Sequence, residues 1–370
     1  MRIVIVHFHL QTGGVTRVIQ HAARSLADQG NEVLLLSGEP TEQAFPARTR
    51  LSVLPCLAYE ERRHGLSPRE VAVALQRAAR DCFGDLPDLW HIHNHCLGMN
   101  LGIPGALLEL ARAGQRLLLQ IHDFAEDGRP GLYDRLLTQI GGNEVAQLSK
   151  LLYPFADHVH YAALNGRDRA FLAAAGIPEG NLHLLPNAVW LEGEPPPQAR
   201  TASTEPRLWL YPTRAIRRKN LGEFILWSTL AGEDDRFATT QAPQNPAEQP
   251  RYRRWVDFAR RLRLPLEFEL GQRYRGDFHT LLASAHSLVT TSVGEGFGLA
   301  FLEPWLMGRP LAGRDLPEIT QDFREAGIDL SNLYPRLAVP LDWLDRDRLF
   351  GAVRTTLSEV MAAYGRIATA

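Results

Sequence analysis

Two glutamates that bracket a glycine-rich turn are the residues of this sequence best suited to chemistry. Residues 292–303 read Ser-Val-Gly-Glu-Gly-Phe-Gly-Leu-Ala-Phe-Leu-Glu, which leaves seven residues between Glu295 and Glu303. Eight helical steps would separate the two carboxylates by about 12 Å, roughly the reach from a sugar through a diphosphate to a ribose. Carboxylates suit both ends of such a ligand because they accept hydrogen bonds from sugar hydroxyls.

The glycines of this turn also favour a ligand site. They let the backbone approach a ligand closely, and the helix expected to follow offers backbone N–H groups to an anion. Two glutamates alone would be explained equally well by an acidic helix start and a second, exposed acid. The Gly296-Phe297-Gly298 sequence between them, and the apolar strand Leu288 to Thr291 before them, favour the ligand site.

A second segment concentrates positive charge. Four cations occur within the six residues from Arg214 to Lys219, directly after an apolar strand, Leu208 to Tyr211. Arg214 and Lys219 could hold a diphosphate leaving group, the arginine through its fork of N–H groups and the lysine as a point charge. Neutralising a departing diphosphate is a task that other enzymes assign to a metal. Arg217 and Arg218 fit a solvated basic turn.

The N-terminal half contributes two further loops. Gly13-Gly14 separates the first strand from the first helix and would bring backbone amides near a phosphate or an acceptor. It lacks the G-x-G-x-x-G spacing of dinucleotide sites, which argues against a nicotinamide cofactor. His122-Asp123 ends another strand, so that His122 is expected to point into the ligand cleft.

Three more histidines, His91, His93 and His95, alternate at the end of the preceding strand. If all three shared one strand face they could bind zinc. No acidic or cysteine partner is near them in the sequence, so packing and hydrogen bonding explain them better, and we expect no metal site.

Composition sets the broad class. A chain of 370 residues suits two domains, and a net charge of −2 gives no electrostatic case for a nucleic acid partner. Cys56, Cys82 and Cys96 show neither a disulfide framework nor metal-ligand spacing. The apolar run from Ile3 to Val6 is too short for a signal or a membrane span. These features predict a soluble, cytoplasmic protein.

The pattern of elements predicts the fold. Strand-like and helix-like segments alternate in both halves, which predicts an α/β protein with two doubly wound, Rossmann-like domains facing each other across a cleft. Residues 1–191 form the N-terminal domain, the proline-rich residues 192–206 a linker, and residues 207–345 the C-terminal domain. The final helix, about residues 346–370, is expected to pack back on the N-terminal domain. Ser67, Pro68 and Glu70 predict the start of a helix with a capping box.

Two stretches of the second half are less regular. Residues 232–250 are polar and contain three prolines, so we predict mostly loop. Residues 251–264 predict a helix with a stripe of Trp255, Phe258 and Leu262 among arginines. Such a helix could touch an anionic membrane, but an outer helix with its stripe on the sheet is the favoured interpretation.

Taken together, these segments resemble the retaining glycosyltransferases of family 4, which have the GT-B fold. The resemblance rests on an ordered set of motifs that runs along most of the chain: Gly13-Gly14, His122-Asp123, Pro186-Asn187-Ala188-Val189, Arg214 with Lys219, the paired glutamates Glu295 and Glu303, and Leu316-Pro317-Glu318-Ile319.

The resemblance implies a retaining, metal-independent transfer of a hexose from a nucleoside-diphosphate sugar of the UDP-glucose or GDP-mannose type. The acceptor would be a hydroxyl group of a sugar, a lipid-linked compound or a small molecule. Glu303 would bind the ribose, Glu295 the hexose, and Arg214 and Lys219 the diphosphate. The amides of Gly296, Phe297, Gly298 and Leu299 would contact the donor. His122 would approach the sugar, and Gly13, Gly14 and Asp123 would line the acceptor side.

Three other functions remain open at this point. A sugar-nucleotide epimerase of the same fold would use His122, His93 and Glu295 around one sugar carbon, and would act on the donor without an acceptor. A phosphorylase with pyridoxal phosphate would need a buried lysine, and Lys150 and Lys219 are the only lysines. A non-catalytic carbohydrate-binding protein would have little use for both glutamates and the paired cations.

Overall fold

The computed structural model of the chain describes residues 1–59, 66–189 and 206–366. It divides into two compact units, one made of Met1–Ala188 together with Val339–Ala370 and the other of Val189–Ala338. We call them unit 1 and unit 2. The predicted linker, residues 192–206, lies outside the described residues except for Pro206.

Unit 1 is built on a parallel sheet of seven strands in the order β3-β2-β1-β4-β5-β6-β7. The strands are β1 Arg2–His7, β2 Glu32–Ser37, β3 Thr49–Val53, β4 Leu89–His93, β5 Leu117–Ile121, β6 Val159–Ala163 and β7 Leu182–Leu184. The strand order reverses between β1 and β4, and ligands of open parallel sheets bind outside the carboxyl ends of the strands at such a point.

Helices connect these strands. They are α1 Gly14–Asp28, α2 Pro68–Phe83, α3 Gly102–Arg112, α4 Pro130–Gln139, α5 Val145–Leu152 and α6 Gly166–Ala174. The predicted capping box of α2 is confirmed: the Ser67 side chain accepts a hydrogen bond from Glu70 N, and the Glu70 carboxylate accepts one from Ser67 N. Gly84, in the left-handed region at φ 76°, ends the helix.

The core of unit 1 lies on both faces of its sheet because successive side chains of a strand alternate between faces. Val4 and Val6 of β1 pack in one apolar cluster with residues of α2 and α3. Ile3 and Ile5 pack in another with Ile19 and Ala23 of α1. A strand covered on both sides needs an almost continuous apolar sequence, as β1 has.

Unit 2 contains a second parallel sheet, with strands in the order β10-β9-β8-β11-β12-β13. The strands are β8 Arg207–Arg214, β9 Asp235–Gln241, β10 Leu266–Glu267, β11 Ser287–Thr290, β12 Leu311–Arg314 and β13 Leu333–Tyr334. Its helices are α7 Leu221–Ser228, α8 Gln249–Arg261, α9 Leu270–Arg273, α10 Phe278–Ser284, α11 Leu299–Leu306 and α12 Pro317–Glu325. Two parallel sheets connected by helices confirm the predicted α/β class.

Strand β9 corrects the prediction that residues 232–250 are mostly loop. It pairs along β8 from Arg207 to Tyr211 and again at Arg214. Its sequence, Asp-Arg-Phe-Ala-Thr-Thr-Gln, has few aliphatic residues and therefore resembles a polar connection more than a buried strand. Thr239 and Thr240 are nevertheless buried, and Thr240 Oγ1 donates to the Thr213 carbonyl at 3.0 Å, so that β-branched threonines replace aliphatic side chains in this strand.

Two other segments of unit 2 depart from their sequence pattern. Strand β10 stops at Glu267, because Glu269 adopts the left-handed conformation at φ 62° and the chain enters α9. On α8 the sheet-facing residues are Tyr252, Val256 and Ala259.

The predicted stripe of α8 therefore does not form its buried face. Phe258 is 37% exposed and Leu262 50% exposed. Trp255 is half-buried and lies over Gly222, where an added Cβ would come within 2.8 Å of the indole ring. The segment is a helix with an apolar face, as predicted, but that face is rotated around the helix axis relative to the predicted stripe.

The chain ends in helix α13, Arg346–Ala363, whose N-cap Asp345 accepts a hydrogen bond from Arg348 N. Just after the helix, the Tyr364 ring lies 5.1 Å from that of Tyr133 on α4, and the Tyr364 hydroxyl accepts a hydrogen bond from Arg129 N at 2.9 Å. These contacts attach the last helix to unit 1. Within the described ranges no helix has the length and apolar character needed to cross a membrane.

Candidate functional site

The glycine-rich loop and the basic turn lie side by side in unit 2. The loop follows β11 and the turn follows β8, and these two strands are parallel neighbours whose carboxyl ends meet at one edge of the sheet. Val293 N donates to the Arg218 carbonyl at 2.8 Å, and Ser292 Oγ donates to the same oxygen at 3.2 Å. Two segments that the sequence singled out separately thus form one hydrogen-bonded structure.

A second set of hydrogen bonds ties the end of the basic turn to the strands. The Lys219 carbonyl accepts from the Tyr211 hydroxyl at 3.0 Å and from Thr291 Oγ1 at 3.2 Å. Asn220 follows in the left-handed conformation at φ 48°. The turn that presents Lys219 is therefore fixed by two side chains that donate to its carbonyl, one from Tyr211 on β8 and one from Thr291 just after β11.

Lys219 and Glu295 form an ion pair inside this structure. The two side chains are 15% and 8% exposed. Burial on its own raises the pKa of the Glu295 carboxyl, but the charges of Lys219 and Arg218 outweigh it and lower that pKa below its usual value. Glu295 is consequently ionised at neutral pH and is oriented by the cation next to it.

The other cations of the turn differ in their surroundings. Arg214 is the last residue of β8, is half-buried, and pairs in register with Gln241 after an irregularity in the β8–β9 ladder. Arg217 is exposed, as expected for a solvated turn residue, and its backbone N–H donates to Glu248. Arg218 is half-buried, and its charge acts on Glu295, which the sequence did not indicate.

The 12 Å estimate for the paired glutamates assumed a helix from Glu295 to Glu303, but helix α11 begins after Glu295. It starts at Leu299, after Gly298 in the left-handed region at φ 92°, so that Glu303 lies in the helix and Glu295 does not. The eight steps between the carboxylates are therefore not all helical, and the estimate is wrong in its premise. Glu303 is half-buried.

The loop that leads into α11 is fixed by aromatic packing. A Cβ added to Gly298 would come within 2.7 Å of the Phe301 ring, so a larger residue does not fit there. Phe297 is buried with its ring centroid 5.3 Å from that of Phe323 on α12. Gly296 is half-buried, as is Leu299, the first residue of α11.

The predicted residues of unit 1 stand at the carboxyl ends of β1 and β5. Gly13 is the N-cap residue of α1, and Gly14 is the first residue of that helix. His122 and Asp123 follow β5, and their backbone N–H groups both donate to Asn94 Oδ1, at 2.8 and 3.1 Å. Asp123 also forms an ion pair with Arg129 at 2.6 Å. Its carboxylate therefore has a cationic partner within unit 1.

The strand-end histidines hydrogen-bond with their neighbours. His91 bonds Gln120 Oε1 at 2.8 Å, and His95 bonds the Leu152 carbonyl at 2.7 Å. The ring nitrogens His93 Nδ1 and His122 Nε2 are 2.8 Å apart. Because β4 ends at His93, His95 lies beyond the strand and the three do not share one strand face. Across the described ranges, no group of three or more His, Cys, Asp or Glu residues is arranged to hold a metal ion.

Burial controls the charge of these rings. It lowers the pKa of His122 to about 3 and that of His91 to about 4, since a buried imidazolium loses its hydration. His93 is shifted in the same direction by burial and by His91, His122 and His7 beside it, which lower its pKa further. All three imidazoles are neutral at physiological pH.

A charged cluster surrounds Glu223, a residue that no sequence motif had indicated. This carboxylate accepts hydrogen bonds from Asn220 at 2.7 Å, from the Tyr334 hydroxyl at 2.6 Å and from the Arg314 guanidinium, whose Nε lies 3.1 Å away. Trp227 Nε1 in turn donates to the Tyr334 hydroxyl at 2.8 Å. The cluster connects the end of the basic turn to the ends of β12 and β13. Glu223 lies in the apolar run Leu-Gly-Glu-Phe-Ile-Leu-Trp, and a single acidic residue in such a run is the sequence signal that could have indicated it.

Three comparisons with known proteins agree with this architecture. Residues 13–188 match the family described as a glycosyl transferase 4-like domain. The mannosylglucosyl-3-phosphoglycerate synthase of Petrotoga mobilis is 24% identical over 363 residues, which cover 91% of this chain and 69% of that protein.

Solved structures share the fold at lower identity. The sucrose-phosphate synthase of Thermosynechococcus elongatus superposes with a TM-score of 0.63 at 18% identity, covering 85% of this chain and 82% of that one. The Anabaena protein HepE, solved in complex with UDP-glucose, gives a TM-score of 0.61 at 14% identity, covering 97% and 90%. The domain match and the relative support a glycosyltransferase of family 4, and the solved structures share its GT-B fold.

Proposed function

We propose that this glycosyltransferase moves a hexose from a nucleoside-diphosphate sugar to a hydroxyl acceptor, with retention of anomeric configuration and without a divalent metal. The observation that carries the proposal is the ion pair of Lys219 and Glu295, held where the basic turn and the glycine-rich loop are bonded together. A cation and an anion at this strand edge supply the two kinds of group that a sugar diphosphate needs.

Donor binding would exchange the partners of this pair. A diphosphate presents new anionic oxygens to Lys219 and to Arg214 at the end of β8, and it competes with the Glu295 carboxylate for the ammonium. Glu295, once released, would accept hydrogen bonds from hexose hydroxyls. Glu303 on α11 would then take the ribose, with the amides of Gly296 to Leu299 near the phosphate and the hexose.

The basic turn also supports a reaction that needs no metal. The transition state of transfer places negative charge on the departing diphosphate, and fixed cations at that position stabilise the charge without reorganisation. Arg214, Arg218 and Lys219 stand within one turn of chain at the sheet edge. In unit 1, we assign His122 to a contact with a sugar substrate, and Gly13, Gly14 and Asp123 to the acceptor.

Relatives suggest which substrates to test. HepE has been solved with UDP-glucose, and another structure of this fold, at a TM-score of 0.54, is a lipopolysaccharide outer core galactosyltransferase. The Petrotoga relative is named for making mannosylglucosyl-3-phosphoglycerate. The donor panel therefore contains UDP-glucose, UDP-galactose and GDP-mannose, and the acceptor panel contains glucosyl-3-phosphoglycerate, simple sugars and lipid-linked sugars.

A binding step and a turnover step test the proposal. In thermal unfolding with UDP, GDP, ADP and their sugars, the cognate nucleotide should stabilise the protein by about 2.7 kcal/mol at a hundred times its Kd. The stabilising donor should then give a glycosylated product whose anomeric proton coupling matches that of the donor, at a rate unchanged by excess EDTA. Inversion of the anomeric centre, or loss of activity in EDTA that metal restores, would reject the corresponding part of the proposal.

A further inference from the structure

Three hydrogen-bonded rungs join the carboxyl ends of β4 and β5 in unit 1. His91 Nε2 bonds Gln120 Oε1 at 2.8 Å, and His93 Nδ1 bonds His122 Nε2 at 2.8 Å. Asn94 Oδ1 accepts from the backbone N–H of His122, also at 2.8 Å. His122 is thus held by both its backbone and its ring, with its plane inclined by 19° to that of His93.

The oxygen partners of the neighbouring histidines fix where those rings carry their protons. A neutral imidazole has one N–H donor and one acceptor nitrogen, and a carbonyl oxygen only accepts. His91 therefore donates from Nε2 to Gln120, and His95 donates from Nε2 to the Leu152 carbonyl at 2.7 Å. The contact of His7 Nδ1 with the His93 carbonyl, at 3.4 Å, makes Nδ1 the donor in His7.

His95 shows which kind of unsatisfied nitrogen this structure tolerates. Its Nδ1 is buried and has no hydrogen-bond partner among the described residues, while its Nε2 is the donor to Leu152. The unsatisfied nitrogen of His95 is accordingly the unprotonated one. This agrees with the general observation that buried N–H groups without an acceptor are rarer than buried acceptors without a full set of donors.

His93 has an unsatisfied ring nitrogen of the same kind, and this determines the tautomer of His122. His93 Nε2 is buried and has no hydrogen-bond partner in the described ranges, and the ring is 1% exposed. With Nε2 unprotonated, the proton of His93 lies on Nδ1 and is donated to His122 Nε2. A neutral His122 that accepts at Nε2 carries its own proton on Nδ1.

The groups that face this pair keep it neutral. His7 on β1 and His91 on β4 lie 6.3 and 4.4 Å from the His93 ring, between ring centroids, and are themselves uncharged because burial lowers the pKa of His7 to about 3 and that of His91 to about 4. Gln120 and Asn94 are the other polar side chains bonded in the rungs. Each ring of the pair is therefore a neutral imidazole with a single N–H proton, on either Nδ1 or Nε2.

We propose that His93 is a positioning residue that fixes His122 in its Nδ1–H tautomer, so that His122 offers a hydrogen-bond donor, and not a base, to an oxygen of a sugar substrate. The inference rests on the proposed function for the identity of the substrate, but the tautomer follows from unit 1 alone. In this arrangement His122 accepts no proton during transfer. It supplies an oriented N–H group.

Protein labelled with 15N at histidine tests the tautomer directly. Long-range proton–nitrogen spectra at pH 7.5 should show a protonated Nδ1 and an unprotonated Nε2 for His122, with its signals assigned from the spectrum of His122→Gln. The His93 ring should show the same pattern. A protonated Nε2 on His122 would overturn the proposal, whatever the activity of the enzyme.

Paired variants test the positioning role. His93→Asn retains an N–H donor near the place of Nδ1, and it should keep the wild-type tautomer of His122 and a kcat within about threefold. His93→Leu removes the donor, and it should give a mixture of His122 tautomers and lower kcat by about tenfold, as expected for one hydrogen bond. KM for the donor and for the acceptor should change less than kcat in the leucine variant.

The control is His95→Gln, which keeps a donor to Leu152 and lies outside the rungs. It should leave both the His122 spectrum and kcat unchanged. Equal kcat values for wild type and His93→Leu would reject the positioning role. If wild-type protein transferred no sugar from any nucleotide donor, the proposed function would fail, and the spectra would still decide the tautomer.

Discussion

Lys219 donates a hydrogen bond to Glu295, although the two residues are 76 positions apart and each was assigned from the sequence to a different part of the substrate. The pair lies 15% and 8% exposed among backbone hydrogen bonds that hold the basic turn against the glycine-rich loop. Each side chain is therefore both the partner of the other and a candidate ligand for the donor, and the following experiments separate these roles.

Lys219→Ala removes the cation closest to Glu295. We expect kcat/KM to fall by the factor that corresponds to losing about 2–4 kcal/mol of transition-state stabilisation. This is the range found when other electrostatic stabilisers are removed. The matched control is Arg217→Ala, since Arg217 is an exposed cation of the same turn. Steady-state kinetics with the cognate donor measure both variants. Similar losses in the two would mean that general positive charge, and not Lys219, acts on the diphosphate.

Glu295→Gln keeps the shape of the side chain and removes its charge. Turnover should fall because the hexose loses a charged acceptor, while the nucleoside diphosphate without its sugar should bind more tightly. The tightening should be about fivefold, since Lys219 no longer has a competing anion and a net gain of about 1 kcal/mol in binding free energy corresponds to that ratio. Calorimetric titration of the nucleotide measures the change. Weaker nucleotide binding in this variant would contradict the exchange of partners.

Unit 1 should lose stability as the pH falls from 7 to 4. Burial lowers the pKa of His7 and His122 to about 3 and that of His95 to about 4, from 6.5 in the unfolded chain. At pH values between the folded and unfolded pKa, the unfolded state binds more protons than the folded state, so acid favours unfolding. Each such histidine then lowers the free energy of unfolding by about 1.4 kcal/mol for every pH unit of acidification. Thermal unfolding at several pH values should be less pH-dependent in His95→Gln. An unchanged dependence would show that His95 titrates normally in the fold.

The cluster around Glu223 should be worth more to stability than a surface ion pair. Glu223→Leu leaves the Arg314 guanidinium, 20% exposed, without its carboxylate and should destabilise unit 2 by about 3 kcal/mol. Glu179→Ala breaks the exposed pair with Arg169 and should cost less than about 1 kcal/mol. Denaturant unfolding compares them. Adding Arg314→Met to Glu223→Leu should recover part of the loss, and no recovery would mean that the cluster acts through packing alone.

The sequence was sufficient to predict which loops meet at the carboxyl ends of the strands in unit 2. Parallel strands bring their carboxyl ends to one edge, so identifying Leu208 to Tyr211 and Leu288 to Thr291 as strands was enough to place the basic turn near the glycine-rich loop. The capping box at Ser67 was equally predictable because its three residues are neighbours along the chain and their hydrogen bonds are local.

What the sequence did not indicate depends on contacts between distant residues. Glu223 meets Arg314 and Tyr334, which are 91 and 111 positions away, and no local pattern reveals such a pairing. Strand β9 was missed because its burial depends on β8 beside it and not on its own hydrophobicity. The buried face of α8 was predicted wrongly for a related reason. Trp255, Phe258 and Leu262 make an apolar stripe, but the residues that α8 buries in the core of unit 2 are Tyr252, Val256 and Ala259.

The division of the chain has a consequence for biosynthesis. Unit 1 takes its last helix from Val339–Ala370, so the whole of unit 2 is inserted between its two pieces. A ribosome makes the seven strands of unit 1 well before Tyr364, whose hydroxyl accepts from Arg129 and whose ring packs on Tyr133. The first unit to begin folding is thus the last to be completed, and nascent chains stalled before residue 346 should expose the surface that α4 presents to this C-terminal segment.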